Sequence, residues 1–584
     1  MYGIIGYIGK KEAAPVLFNS LKNLEYRGYD SFGFATVHDN KIWVEKRSGK
    51  ISEFEFNGNL PGFMGIAHTR WATHGKPSKE NAHPHLCCEE NIAIVHNGII
   101  SNFLYLKKEL IKKGHVFKSE TDSEVIAHLI EENYKGDLEE AVRKALKHLK
   151  GTYALLITSK NENKIIGVRK ESPLVLGISD SSFYLSSDIA SFLEFTNNTV
   201  LLEDGEMVII KPEGYEIKDF EGNVISKRAL KINWNPENVK KNGYPHFMLK
   251  EICEEPEIVK KSLKIAENEI KEVAKLIKEY PKVYIVGIGT SFYAGLISEY
   301  WFSKISKKTV NVIDSSEFME KALPDNETLI IAITQSGETY DTLQAMRHAK
   351  SLGSKIVSIV NVLGSSATRE SEISILQGCG LEIGVCATKT FISQLIILLR
   401  LALELAKLKG MDISKIENEL KRVPECIEKT INEKERFKEI AKYCDVKNYV
   451  YIGRGINYPM ALEGALKFKE ISYLHAEGMS SGFLKHGTIS LIDKDFYTIA
   501  LIPQEDRKIL SNIQEIKSRG GKVIGIVLGD TEYCDVKINL PIVSDIISPL
   551  IFAPACQLLA YYVAVGLGKD PDKPRNLAKS VTVE

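Results

Sequence analysis

The amino-acid sequence predicts an α+β unit of layered antiparallel sheets packed with helices, followed by two copies of an α/β unit with doubly wound parallel sheets. Three observations predict it. Short alternating apolar runs recur between turns over the first 225 residues. The pattern strand, glycine turn, hydroxyls, helix opens at Lys282 and again at Asn448, about 165 residues apart, the spacing of a duplicated domain. Each opening is followed by a strand, helix, glycine, strand run, at residues 328–360 and 496–528.

Taken in order, residues 42–45, 92–96, 152–157 and 183–186 alternate as half-buried strands, and residues 11–24, 123–134 and 138–149 carry helical spacing. Strands and helices of that kind build layered antiparallel sheets. Residues 231–244, with Asn, Pro, Lys and Gly, read as a linker. The duplication shows residue by residue in Ser351-Leu-Gly-Ser-Lys-Ile-Val-Ser-Ile-Val360 against Ser518-Arg-Gly-Gly-Lys-Val-Ile-Gly-Ile-Val527. The expected boundaries are 2–225, a linker at 226–250, the two copies at 255–415 and 435–570, and a tail at 571–584. Residues 391–408 read as the most apolar stretch, and Gln394, Arg400 and Glu404 interrupt it, which predicts a buried helix and no membrane span.

A chain of 584 residues accommodates three or four domains with sizeable cores. Its 76 basic and 76 acidic residues cancel, so nothing draws it to nucleic acid or an anionic membrane. Nine scattered cysteines, with only Cys87 and Cys88 adjacent, fit neither a disulfide framework nor CxxC metal spacing, and no signal-peptide pattern opens the chain. A reducing cytoplasm is the expected setting, with no metal or other cofactor.

The candidate chemistry begins at Thr328-Leu-Ile-Ile-Ala-Ile-Thr-Gln-Ser-Gly-Glu-Thr339, an apolar strand that ends in hydroxyls, an amide and a glycine ahead of a helix. Thr334, Gln335, Ser336 and Thr339 offer neutral donors, Gly337 lets backbone N–H groups approach, and the helix turns its positive end to the loop, as a phosphorylated ligand requires. A helix cap with a tight turn fits the same residues. That loop lacks the Lys of a Walker A motif and dinucleotide spacing, and Thr290 and Ser291 close a second loop of the same kind. Lys467 and Glu470, at i and i+3 of a helical run, share a face, the spacing of an exposed ion pair. A lone histidine such as His486 is more often structural, and Lys579 lies in a tail that would fray by default.

His68, His74, His83, His85 and His96 crowd one span, but no Cys or carboxylate joins them at ligand spacing, which argues against a metal. The span instead resembles the glutamine pocket of class II glutamine amidotransferases in Tyr26-Arg-Gly-Tyr-Asp-Ser31, His68-Thr-Arg-Trp-Ala-Thr-His-Gly75, Asn81-Ala-His-Pro-His85, His96-Asn-Gly-Ile99 and Glu120-Thr-Asp-Ser123. With Gln335-Ser-Gly-Glu-Thr339, Glu382-Ile-Gly-Val385, Lys469-Glu-Ile-Ser472 and Pro574-Arg-Asn-Leu-Ala-Lys-Ser-Val-Thr-Val-Glu584, essentially the whole chain resembles the isomerising glutamine:fructose-6-phosphate amidotransferases.

That resemblance implies an N-terminal-nucleophile glutaminase domain joined to two sugar-isomerase (SIS) domains, passing ammonia between sites to make glucosamine 6-phosphate and glutamate. It implies fructose 6-phosphate and glutamine or ammonia as partners, and a homodimer. Arg70, Trp71, Thr73, His74 and Asp122 would hold glutamine, and Asn97 and Gly98 the oxyanion, although Asn97-Gly98 alone also reads as a hairpin turn. Glu470 would move the proton between sugar C1 and C2, Lys467 would set the charge beside it, His486 would open the ring, and Lys579 would form the Schiff base. Thr290, Ser291, Thr334, Gln335, Ser336, Thr339 and Val385 would line the phosphosugar site.

The chain also departs from the pattern. Tyr2 stands where the family's nucleophilic cysteine belongs, and a bulky second residue disfavours removal of Met1. Phe483, Thr488 and Ala387 replace the family's Glu, Pro and Ser near the sugar site. Two readings follow: an aminotransferase with an impaired glutaminase half, or a regulator that binds a phosphosugar without turning it over. Glu470, His486 and Lys579 together favour the first, since a sensor needs none of them.

Overall fold

The computed structural model describes residues 2–57, 60–71, 75–232, 241–504 and 506–582. The chain divides into two compact units, Met1–Lys240 with Ala578–Glu584, and Lys241–Leu577.

In the first unit the strands are β1 (Gly3–Gly9), β2 (Ser31–His38), β3 (Lys41–Ser48), β4 (Met64–Arg70), β5 (His85–Leu86), β6 (Ile92–Ile100), β7 (Gly151–Ser159), β8 (Glu162–Lys170), β9 (Val175–Ser179), β10 (Ser182–Ser186), β11 (Asn198–Leu201), β12 (Glu206–Lys211), β13 (Gly214–Asp219) and β14 (Leu230–Lys231). They form an eight-stranded sheet, β14-β11-β9-β10-β1-β4-β2-β3, and a six-stranded sheet, β13-β12-β8-β7-β6-β5. Ile4, Ile8 and Ile66 of the first sheet meet Val95, Leu156 and Val208 of the second in one apolar core. Outside the first sheet packs α1 (Ala13–Lys22), through Leu17 and Leu21. Outside the second pack α2 (Phe103–Lys112), α3 (Glu124–Asn133) and α4 (Leu138–Leu146). The order helix, sheet, sheet, helix follows from strands that are apolar on both faces. Asp137 starts α4 by accepting from the N–H groups of Glu139 and Glu140, at 2.9 and 3.3 Å.

The hairpin-turn reading of Asn97-Gly98 does not hold. Both lie inside β6, opposite Ala154 and Tyr153. Gly98 has φ +129°, and a Cβ there would stand 2.0 Å from the Thr152 carbonyl oxygen, so only glycine lets the strands approach.

The second unit repeats one topology. Its first copy has β15 (Lys282–Gly287), β16 (Asn311–Asp314), β17 (Thr328–Thr334), β18 (Lys355–Val360) and β19 (Ile373–Leu376), in the all-parallel order β16-β15-β17-β18-β19. Its second has β20 (Asn448–Gly453), β21 (His475–Ser480), β22 (Phe496–Ile502), β23 (Val523–Leu528) and β24 (Val536–Leu540), ordered β21-β20-β22-β23-β24. The strand order reverses between β15 and β17, and again between β20 and β22, where the carboxyl ends of neighbouring strands open a crevice for ligands. The helices Lys389–Leu408 and Ser548–Gly566 run through the core of this unit. Among the described residues the second, not residues 391–408, is the helix apolar and long enough to cross a membrane by composition, with mean hydropathy 1.5, and it is 89% buried among other elements. The expected linker at 231–244 overlaps the boundary between the units, and its residues 233–240 lie outside those described.

Candidate active sites

Register places the first site. Gly3 pairs with Thr69, so Tyr2 falls at the end of β4 beside Arg70, and Ser31 pairs with Arg70 on its other side. Tyr2 is 7% exposed, and its ring centroid lies 5.7 Å from that of His68. Its carbonyl accepts from Asn97 Nδ2 at 2.9 Å and from Arg27 Nε at 3.2 Å. Arg27 in turn pairs with Asp188 at 2.9 Å. The sequence reading assigned Arg27 no role, although it stands inside the quoted Tyr26-Arg-Gly motif.

Arg70 is buried, and its guanidinium donates to the carbonyls of Gly75 at 3.0 Å and Lys76 at 3.4 Å. Trp71 packs edge-on against Tyr29, with centroids 5.3 Å apart. Asp122 accepts from the Ile100 N–H at 2.8 Å, which brings it to the same end of β6 as Asn97 and Gly98. Thr73 and His74 lie outside the described residues. Of the remaining histidines, His68 and His83 stack with rings 4.0 Å apart and nearly parallel, His85 meets His83 edge-on at 4.4 Å, and burial holds His68 and His83 well below the usual imidazole range, hence neutral.

The second site lies at the β15/β17 crevice. After β17, Thr334 Oγ1 accepts from the Gly337 N–H and sits 3.2 Å from Thr339 Oγ1, while Ser336 Oγ accepts from the Glu338 N–H at 3.1 Å. Gly337 has φ +70°, and a Cβ would lie 2.0 Å from Ser365 Oγ. Gln335 accepts from the Asn361 N–H through its carbonyl, leaving its amide side chain out of that bond. The helix Tyr340–Ser351 starts immediately after Thr339. After β15, Ser291 Oγ accepts from Gln394 at 3.1 Å. Val385 is buried, its N–H 3.4 Å from the Asp572 carbonyl, in the same loop as Ala387.

The helix Asn457–Ser472 carries the charges. The exposed-ion-pair reading of Lys467 and Glu470 fails, because the Lys467 side chain is 1% exposed. Its ammonium lies 2.6 Å from Glu470 Oε2 and 3.6 Å from Glu463 Oε1. Burial opposes that ammonium, but Glu463 and Glu470 outweigh it and hold Lys467 firmly protonated. Burial pushes Glu463 up to about 8, so at neutral pH it stands as the neutral acid beside the Lys467 ammonium. Thr290 Oγ1 donates to Glu463 Oε1 at 3.2 Å, tying the β15 loop to the charged helix. The sequence reading missed Glu463; its signal was the i−4 spacing to Lys467.

The burial of Glu463 has a measurable consequence. A carboxyl with a folded value near 8 against an ordinary 4.5 stabilises the fold below about pH 4.5, and that contribution is lost as pH rises toward 8. Lys467 titrates above this window. The Glu463→Gln variant should therefore gain stability over the parent progressively between pH 5 and 8, by roughly 3 to 5 kcal/mol at the upper end. Denaturant unfolding at stepped pH measures it, and a pH-independent difference would refute the neutral-carboxyl assignment.

His486 stands in an exposed turn after β21, and among the described residues no hydrogen bond or ion pair joins its side chain to Lys467 or Glu470. Phe483 beside it is 63% exposed, and Thr488 opens the next short helical turn. Lys579 belongs to the segment Ala578–Glu584, which groups with the first unit.

The fold and sites together define a two-part protein, an amidotransferase-type α+β unit with a tandem sugar-isomerase unit. A SIS domain model matches residues 275–404 and 442–566, and a glutamine amidotransferase domain model matches residues 68–194. The chain is 52% identical to the glutamine--fructose-6-phosphate aminotransferase [isomerizing] of Methanococcus maripaludis and 48% identical to that of Pyrococcus horikoshii, over the full length of each. The C-terminal domain of glucosamine-fructose-6-phosphate aminotransferase from Francisella tularensis superposes with TM-score 0.54 at 37% identity, covering 57% of this chain and 99% of that one. The chain belongs to the isomerising glutamine--fructose-6-phosphate aminotransferase family.

Proposed function

We propose that this chain makes glucosamine 6-phosphate from fructose 6-phosphate as an isomerising glutamine--fructose-6-phosphate aminotransferase, with a glutaminase step impaired by Tyr2 and amination that free ammonia can drive. The observation that carries this reading is the buried Lys467 between Glu463 and Glu470, tied through Thr290 to the hydroxyl loops at the β15/β17 crevice. Burying the Lys467 ammonium against Glu463 costs several kcal/mol unless it is paired, an expense that a proton-transfer site explains. The regulator reading is also disfavoured by full-length similarity to curated enzymes.

In this reading Ser291, Thr334, Gln335, Ser336 and Thr339 hold the phosphate, with Thr290 and Val385 flanking the sugar. Glu470 carries the proton between C1 and C2, Lys467 sets the charge beside it, His486 opens the ring and Lys579 forms the imine. In the other unit Arg70, Trp71, Thr73, His74 and Asp122 grip glutamine, and Asn97 and Gly98 face the developing oxyanion. The family resemblance supports a cytoplasmic homodimer.

The discriminating experiment supplies fructose 6-phosphate with glutamine and, separately, with ammonium, and follows glucosamine 6-phosphate. Formation with ammonium supports the proposal; none with either donor sinks it. Ser336→Ala and Ser291→Ala should each raise the KM for fructose 6-phosphate by roughly 10- to 150-fold, the loss of a hydrogen bond to a charged group. Unchanged sugar-phosphate affinity in both variants would remove the cradle from the argument.

A further inference from the structure

Away from both sites, four side chains of different chemistry converge. Cys88 lies in the turn between β5 and β6, His115 in the loop between α2 and α3, and His128 and Glu131 one helical turn apart on α3. Cys88 Sγ is 3.6 Å from His115 Nδ1 and 3.5 Å from His128 Nδ1. Glu131 Oε2 is 3.1 Å from His115 Nδ1 and 3.4 Å from His128 Nδ1. All four atoms lie within 4.8 Å of one another.

These separations match a coordination polyhedron. Zinc–sulfur, zinc–nitrogen and zinc–oxygen bonds of about 2.3, 2.05 and 2.0 Å at tetrahedral angles put sulfur about 3.6 Å from nitrogen and nitrogen about 3.3 Å from oxygen. The outer partners agree. His115 Nε2 meets Glu132 Oε1 at 2.9 Å, and His128 Nε2 faces Glu124 Oε1 at 3.5 Å. At His115 the carboxylate hydrogen-bonded to Nε2 keeps the ring proton there and leaves the Nδ1 lone pair free, the arrangement found behind metal-bound histidines. The Val116 N–H donates to Cys88 Sγ at 3.4 Å. Glu131 is itself held by the Glu89 N–H at 2.8 Å and the Cys88 N–H at 3.1 Å. Cys87 is distinct, because its Sγ donates to Asn91 Oδ1 at 2.8 Å.

We propose that Cys88, His115, His128 and Glu131 form a structural site for a divalent transition-metal ion, with zinc the best fit. One thiolate and one carboxylate neutralise a dication, and four protein ligands leave no open position, which marks a bracing site. Sequence separations of 27, 13 and 3 residues match no compact metal motif, so only folding assembles it. The ion clamps the turn at Cys88 and the loop at His115 to α3. The segment entering α3 carries Asp122, and Glu124 within it already binds the N–H groups of Lys118 and Ser119.

The test uses the full chain, stripped with chelator and titrated with Zn²⁺ or Co²⁺. The wild type should retain one zinc per chain after dialysis, and its cobalt form should show a thiolate-to-metal charge-transfer band with intense tetrahedral d–d bands. Cys88→Ser, a surface change, should lose the charge-transfer band, and zinc should raise the melting temperature of the wild type but not of this variant. His128→Ala should lose stoichiometric binding. Zinc that dialyses away from the wild type, or a cobalt spectrum unchanged in Cys88→Ser, would overturn the proposal, and neither outcome depends on the buried variant folding.

Discussion

Given glutamine, this chain should release glutamate at close to the uncatalysed background, and the single change Tyr2→Cys should raise that release on the order of 10³-fold or more. The expectation rests on one side chain. A γ-glutamyl thioester needs sulfur at residue 2; a phenol ordinarily titrates about 1.5 units above a thiol and is the weaker nucleophile. Here the ring is also buried against His68, filling space that a compact nucleophile and its substrate would share. The frame around it is intact: Asn97 and Arg27 hold the residue 2 carbonyl, and Asp122 is fixed by the Ile100 N–H. Backbone hydrogen bonds do not depend on which side chain occupies the position, so restoring the thiol should restore the chemistry. Glutamate release by both proteins decides it, and brisk release from the Tyr2 form would mean that another nucleophile acts. Ammonium should serve both forms equally.

Replacing Glu470 by Gln should cut hydrogen exchange at C1 and C2 of the sugar phosphate by roughly 10²- to 10⁴-fold, the usual contribution of a positioned base, while sugar-phosphate binding persists. The variant should fold. Lys467 loses one carboxylate at 2.6 Å, but the Glu470 charge is one of the influences raising Glu463, so Glu463 ionises more readily and compensates the ammonium. Exchange into solvent, followed by NMR, reads the proton transfer without requiring the amination step. Lys579→Ala should separately abolish the adduct trapped by borohydride. A parent chain showing neither exchange nor a trappable adduct would return the argument to a binding protein.

Several features are legible in the sequence because they are local. The hydroxyl loops after β15 and β17, the helix at Tyr340–Ser351, the duplicated α/β halves and the position of Tyr2 depend on residues close in the chain, where period, glycine placement and capping act directly. Even the crevice between β15 and β17 follows from local order, since two strand–loop–helix units in tandem imply a switch point between them. Tertiary structure alone decided the rest, because burial is a property of packing. The spacing of Lys467 and Glu470 suits a surface pair, and only the fold shows the ammonium sealed from solvent with Glu463 as third partner. Asn97-Gly98 carries turn chemistry, yet the pairing of β6 with β7 overrides it. Cys88, His115, His128 and Glu131 are strangers in sequence and neighbours in space, since long-range pairing of strands and helices, which no local pattern encodes, sets where a side chain meets its partners.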